Sequence, residues 1–413
     1  MDEHAVVTCF LRHGTDVLLV RRSEAVGTDR DQWGGVSGYA EGTPQEAARW
    51  EIAGEVGLLD TVDYVRSAPP LAVEDPERDT EWLVHPYLFD CESTAVTLNE
   101  ELSAYEWVQP PSMLDRETVP RLWDAYQAVA PSVETVREDT THGSAYISLR
   151  ALEVLRDRAA AIAHDSGGYG TLATLARDLR AARPGMSVVT NRINRVMADA
   201  APTPESVRDH ASDACVRAVE ADGRAASAAA GVVGNRVLTL SRSGTAVDTL
   251  LEAAPDAVFV AESRPDREGV SVAETLAREG LDVSLLVDAA LGHVIAEHDP
   301  ETVLLGADSV LADGTVLNKV GSRLAALAAA DADADCYVVC SRDKIAHHTE
   351  AELPSGPRGA VYEGDAPLTV LNPTFEPVPP TLVDGIVTGD GTQSLSDVEA
   401  VADEHAALAR WDE

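Results

Sequence analysis

Five short runs of unbroken apolar character in the second half of the chain restrict its fold more than any other feature. They are 237–240, 257–260, 283–287, 303–305 and 337–339, separated by stretches of helical periodicity. A strand covered on one face alternates apolar with polar residues, so continuous runs predict parallel strands buried on both faces. Polar residues follow nearly every run: Ser241-Arg242-Ser243, Glu262-Ser263-Arg264, Asp288, Asp308 and Ser341-Arg342. The carboxyl ends of an open parallel sheet share one crevice where ligands bind, so these side chains are expected to converge. The stretch 304–330 carries most of that expectation. A strand ends there at Gly306-Ala307-Asp308, a turn forms at Asp313-Gly314, and an Ala- and Leu-rich helix starts near Gly321. Asn318-Lys319 and Gly321-Ser322 fall at that helix start, where free backbone N–H groups and an ammonium would face one anion. A carboxylate beside a phosphate cradle suits acid–base work on a sugar phosphate.

The run GAD–DG–NK–G resembles the superfamily that joins the regulatory subunits of translation initiation factor 2B to two sugar-phosphate isomerases. Those enzymes act on methylthioribose 1-phosphate and ribose 1,5-bisphosphate. The resemblance covers roughly residues 135–395, with several motifs in the family's order. It implies that Asp308 is the catalytic aspartate and that Asn318 and Lys319 contact the substrate's sugar and phosphate. LTLSRSG looks like the segment carrying the isomerases' catalytic cysteine, and Ser241 stands at that position here. ESRP, followed by Gly269, matches closely and makes Arg264 a phosphate or subunit contact. His142-Gly143-Ser144 takes the place of the family's RGA-type phosphate loop, with His for Arg, and Arg183-Pro184 matches its RP element. A serine hydroxyl is not ionised near neutral pH unless a base assists it. Ser241 and His142 therefore favour the non-catalytic branch: a regulatory protein, similar to an initiation factor 2B subunit, that binds a phosphosugar or nucleotide. The alternative within the family is an isomerase acting through Asp308, with Ser241 in a lesser role. The resemblance also implies a homodimer or higher homo-oligomer and a link to the translation initiation machinery.

The first third reads differently. Runs 6–11 and 17–20 are β-type with a Gly-containing turn between them, which predicts a hairpin. WGGVSGYAEGTPQEAARWEIAGEVGLL follows, where Thr43-Pro44 opens a helix as N-cap and first helical residue. Glu51 and Glu55 lie one turn apart on one face, a spacing that lets two carboxylates share a divalent ion. The segment resembles the Nudix box, G-x5-E-x7-R-E-U-x-E-E-x-G-U with U aliphatic. Read backwards from Gly57, the residues Glu51, Ile52, Glu55 and Leu58 match, while the family's Arg falls on Trp50 and one Glu on Gly54. Read from the front, Gly35, Glu41 and Arg49 match instead. An extra residue in the loop near Gly42 reconciles the halves, because one inside the helix would turn later side chains by about 100°. Glu41 is then kept and the Arg lost. The resemblance implies Mg²⁺ on Glu41, Glu51 and Glu55, with Glu101 as a further ligand. A third function follows from it: a Mg²⁺-dependent Nudix hydrolase of nucleoside diphosphate compounds. Losing a carboxylate and an orienting Arg weakens that activity and favours a binding or structural module.

The expected architecture is therefore α/β: a Nudix αβα sandwich over 1–130, a helical subdomain over 131–230 and a Rossmann-like parallel domain over 231–413, with the charged run 136–139 as linker. The net charge of −38 comes with only two lysines, Lys319 and Lys344, the other basic side chains being Arg and His. Such a surface reads as halophilic, because concentrated salt screens its self-repulsion. It disfavours bare nucleic acid as a partner. No basic segment followed by a long apolar run opens the chain, and none of its apolar stretches is long enough to span a bilayer, so a cytoplasmic location is expected. The five cysteines are odd in number and scattered, so no disulfide framework is implied.

Overall fold

The computed structural model describes residues 2–76, 78–351, 353 and 355–413. It divides into two compact units: 1–132 with 153–172 and 202–212, and 133–152 with 173–201 and 213–413.

In the first unit the order is β1 (Asp2–His13), β2 (Asp16–Arg22), β3 (Trp33–Gly34), β4 (Val36–Tyr39), α1 (Pro44–Glu51), β5 (Val62–Ser67), β6 (Leu71–Asp75), β7 (Thr80–Cys91), β8 (Leu102–Val108) and α2 (Leu122–Val129). Among the described residues the strands form one mixed sheet. The expected hairpin is β1–β2, turned at Gly14 with φ 61°, a conformation that glycine adopts without strain. Alternation along the strands decides the layers. Val7, Cys9 and Leu11 of β1 share a core with Ala47 and Ala48 of α1. Phe10 of β1, with Val17 and Leu19 of β2, packs against Leu122, Ala125, Tyr126 and Val129 of α2. Helices thus cover both faces, and the unit is an αβα sandwich.

The helices that follow are α3 (Val133–Glu138), α4 (Ser144–His164), α5 (Tyr169–Ala182), α6 (Ser187–Asp199) and α7 (Pro204–Ala230). The run 136–139, expected as linker, is instead helical as far as Glu138, and Val136 is buried.

The remainder runs β9 (Arg236–Thr239), α8 (Gly244–Ala253), β10 (Ala257–Ala261), α9 (Glu268–Arg278), β11 (Val283–Leu286), α10 (Leu291–His298), β12 (Thr302–Gly306), β13 (Ser309–Val310), β14 (Val316–Lys319), α11 (Ser322–Asp331), β15 (Asp335–Val339), β16 (Phe375–Val378), β17 (Gly385–Thr388), β18 (Gly391–Gln393) and α12 (Leu395–Leu408). The five apolar runs are β9, β10, β11, β12 and β15, all in one sheet of order β11-β10-β9-β12-β15-β17-β18. Its strands are parallel except for the antiparallel β17–β18 pair. Leu238, Val303, Leu305 and Val338 face one core, while Val237, Val258, Val260 and Leu304 face another, which is why these runs carry no polar alternation. The chain order reverses between β9 and β12, so a crevice opens at their carboxyl ends. Asn318 and Lys319 lie in β14, part of a small antiparallel sheet with β13 and β16. Among the described residues no helix is long and apolar enough to cross a membrane.

Candidate functional site

The strand tips are tied to one another in sequence. Asp288, after β11, accepts the backbone N–H groups of Ser263 at 2.8 Å and Arg264 at 2.7 Å. Ser263, after β10, accepts the N–H of Ser241 on its hydroxyl at 2.7 Å. Ser241, after β9, donates its own hydroxyl to Glu268 at 2.9 Å. Both serines hold left-handed backbone, φ 69° for Ser241 and 62° for Ser263, a conformation that side-chain-bearing residues resist and that surrounding bonds must enforce. Glu268 uses its other oxygen on Lys319, 2.8 Å away, and Asp266 meets the same ammonium at 2.9 Å. Burial works to lower the pKa of Lys319, but these two carboxylates outweigh it and raise the value.

Asp308 stands at the centre of this arrangement. Its N–H is fixed to Leu317 O at 2.9 Å, and Gly306 before it allows close approach of Ser243, whose Cβ would lie 2.6 Å from a Cβ at that glycine. The carboxyl keeps a little solvent access yet is closely surrounded by protein atoms. Desolvation raises its pKa; Lys344, the Ser144 hydroxyl and Lys319 pull it down, and Glu268 pushes it up, with a net rise. Ser144 is buried and its hydroxyl falls short of a regular hydrogen bond. Lys344 donates to Ala307 O at 2.6 Å, and both lysines are nearly inaccessible, Lys319 at 6% and Lys344 at 5% exposure. The only two lysines of a highly acidic chain therefore both act electrostatically on one carboxyl.

A second acidic cluster lies in the first unit. Glu55, 4% exposed, accepts the Ser37 N–H at 3.0 Å. Burial pushes its carboxyl up to about 8, opposed by the Ser37 bond, raised further by Glu51 and Glu101 and lowered slightly by Arg22. Glu51 is raised by burial, then by Glu101 and Glu41. A Cβ at Gly38 would overlap the Glu51 carboxylate where it stands, so a larger residue there would displace that side chain. Thr43 caps α1 by accepting the Glu46 N–H, with Pro44 in the first turn.

Comparison with known proteins places both halves. The profile of the Initiation factor 2 subunit family matches residues 140–394. The chain belongs to that family. A NUDIX domain precedes it, matched over residues 2–129. The chain is 30% identical over 272 residues to ribose 1,5-bisphosphate isomerase of Haloferax volcanii, covering 60% of this chain and 83% of that protein. It is 31% identical over 288 residues to methylthioribose-1-phosphate isomerase of Gemmatimonas aurantiaca, covering 63% and 83%. Among solved structures, translation initiation factor eIF-2B of Pyrococcus horikoshii OT3 aligns with TM-score 0.55 at 21% identity, over 63% of this chain and 94% of that one, a likeness of fold.

The initiation factor 2 family residues named from the sequence do not all meet. Ser241, Asp308, Lys319 and Ser144 gather as described, and Asn318 lies beside Gly306, donating to Ser322 Oγ at 2.8 Å. Gly143 approaches Arg242 O, 3.7 Å from where its Cβ would be. The His142 ring stacks on Tyr146 with centroids 4.0 Å apart and pairs with Asp139 at 2.8 Å. Arg183 donates to Val136 O and Asp139 O, satisfying carbonyls at and beyond the end of α3, and among the described residues none of its hydrogen bonds reaches the Asp308 cluster. Arg264 is exposed and engages Asp288 through its backbone. The open helix start expected at Gly321 is corrected. Glu376 accepts the N–H groups of Gly321 at 2.7 Å and Arg323 at 2.9 Å, because β14–β16 pairing sets it opposite Asn318. The helix already holds an anion, and it is the chain's own.

In the NUDIX domain the helix turns π over Ile52–Val56, closed by Gly57 N–H to Ile52 O at 3.1 Å. A π turn takes up one more residue than an α turn, so the helix has room for the extra residue as well as the loop near Gly42. With one extra residue inside the helix, Gly35, Glu41, Arg49, Glu51, Ile52, Glu55, Gly57 and Leu58 can all fall on the pattern, and Gly54 remains a departure. Carboxylate oxygens are the donors Mg²⁺ takes. Among the described residues, however, no three Asp, Glu, His or Cys side chains converge tightly enough to hold an ion.

Proposed function

We propose that the initiation-factor-2-like domain binds a ribose phosphate ester and interconverts its aldose and ketose forms, with Asp308 as the acid–base group. The observation that carries this is the raised carboxyl of Asp308 beside the only two lysines of the chain. Cyclic aldose 1-phosphates must open, by breaking the bond from C1 to the ring oxygen, before the hydrogen at C2 can pass to the electron-deficient C1 as hydride. The protonated carboxyl gives its proton to the ring oxygen; as carboxylate it then takes a proton from the C2 hydroxyl as the C2 carbonyl forms. Lys344 and Lys319 oppose the phosphoryl charge and limit how far burial raises Asp308. The curated relatives, named as isomerases of ribose 1,5-bisphosphate and methylthioribose 1-phosphate, support this substrate class.

The test is incubation with each of these two esters, following ketose formation. Ser241→Cys is expected to raise turnover, since a thiol ionises far more readily than a hydroxyl. Binding of either ester without turnover, in both wild type and Ser241→Cys, would favour the second reading, a regulatory ligand sensor. That reading is motivated by the Ser241 hydroxyl being committed to Glu268. Self-association is part of the same proposal. β11 is an edge strand whose Leu285 is 49% exposed, with Val287 just beyond it at 57%. Charged substitutions there, as in Leu285→Glu, are expected to reduce the mass measured by light scattering toward that of one chain.

A further inference from the structure

We propose that the Asp266 carboxylate occupies, in the ligand-free protein, the place on Lys319 that a ligand's phosphoryl group takes, and so restricts the site to dianionic esters. This rests on reading the Asp308 cluster as a sugar-phosphate site. The two carboxylates on Lys319 are not equivalent. Glu268 has a side chain 15% exposed and is held by Ser241 as well as by the ammonium. Asp266 has a side chain 58% exposed and makes no other side-chain hydrogen bond or ion pair among the described residues. The turn that carries it is fixed independently: Arg267 N–H bonds Ser263 O at 2.9 Å, Arg267 pairs with Glu262 at 3.0 Å, and Asp288 holds the N–H groups of Ser263 and Arg264. Asp266 therefore leaves Lys319 by rotating its own side chain, with no rearrangement of the loop. Lys319 itself, 6% exposed, cannot follow it.

The consequence is selective. A ligand that displaces a carboxylate gains only if it carries more negative charge than the group it replaces, and a phosphoryl dianion does. A sugar acid exchanges like for like, and a neutral sugar leaves the ammonium poorer. Because the exchanged pair is partly exposed, its effect is modest, about three- to fivefold in affinity.

Titration calorimetry on the full chain tests this with three probes: ribose 1,5-bisphosphate, ribonate and ribose. Asp266→Asn is expected to bind the bisphosphate about three- to fivefold more tightly than wild type and to gain measurable affinity for ribonate. Glu279→Gln, which removes one exposed carboxylate from the end of α9, is expected to match wild type and so controls for net charge. The ratio between Asp266→Asn and wild type should shrink as salt rises to about 1 M, where the screening length falls to roughly 3 Å. Equal or weaker bisphosphate binding by Asp266→Asn, with wild type binding normally, overturns the proposal and leaves the site reading intact. Binding of the bisphosphate by neither protein overturns both.

Discussion

Asp308→Asn is expected to lower kcat for ketose formation by about 10²–10⁴-fold, the range that a positioned acid–base group supplies. Affinity for ribose 1,5-bisphosphate should stay within a few-fold of wild type, because both lysines remain. Loss of fold is not a competing explanation. Desolvation raises the carboxyl, so the folded state disfavours the ionised form and a neutral amide of the same shape relieves that penalty near neutral pH. The pH profile gives a second readout. A raised carboxyl stays protonated to higher pH than an ordinary aspartate, so its titration in kcat should appear above that of an unperturbed aspartate. Lys344→Gln removes the largest attraction on the carboxylate and should move that titration higher still. Steady-state rates across pH, with binding measured separately, check both. A rate unchanged in Asp308→Asn would remove Asp308 from the chemistry.

Much of this site could be read from the chain before its fold was known, and the failures have physical causes. The five apolar runs became five parallel strands because burial on both faces leaves a pattern that survives in sequence. Ser241 and Asp308 could be placed at strand tips for the same reason. Glu268 could not: DRE at 266–268 reads as a solvated turn, and only folding brings it between Ser241 and Lys319. Lys344 left a signal that went unused. Two lysines in a chain whose other cations are Arg stand out, and Lys344 follows the Ser341-Arg342 tip by two residues. Glu376 shows the opposite limit, since a helix start with free amides in sequence is filled by a partner 55 residues away through strand pairing. The π turn was missed because an insertion is visible as a register slip, while its location depends on backbone hydrogen bonds.

Stability of the NUDIX domain should fall as pH rises from about 4.5 to about 8, and Glu55→Gln should abolish that component. The unfolded chain releases the Glu55 proton near the ordinary value of 4.5, whereas the folded domain keeps it until about 8. Between these values the native state binds more protons than the unfolded state, so the slope of unfolding free energy against pH is negative, roughly 1.4 kcal/mol per unit. Across the window the accumulated loss is about 5 kcal/mol, absent below the lower value and complete above the upper one. Glutamine cannot ionise, and its amide oxygen still accepts the Ser37 N–H, so the variant isolates the charge from the hydrogen bond. Urea unfolding followed by tryptophan fluorescence, at fixed salt and at pH 5, 6, 7 and 8 (values chosen to bracket the window), compares the two proteins. The expected result is curves that meet near pH 5 and diverge to about 4 kcal/mol at pH 8, the variant being the more stable. Adding Mg²⁺ distinguishes two states of the cluster. If the carboxylates of Glu41, Glu51, Glu55 and Glu101 rearrange around a cation, the wild type alone should recover stability at pH 8, because a bound divalent ion favours the ionised acids. If they do not, both proteins should be indifferent to the metal, and the domain then serves as a module without a resident cation. Parallel curves for wild type and variant across the whole range would show that Glu55 ionises in the native state as readily as in the unfolded chain.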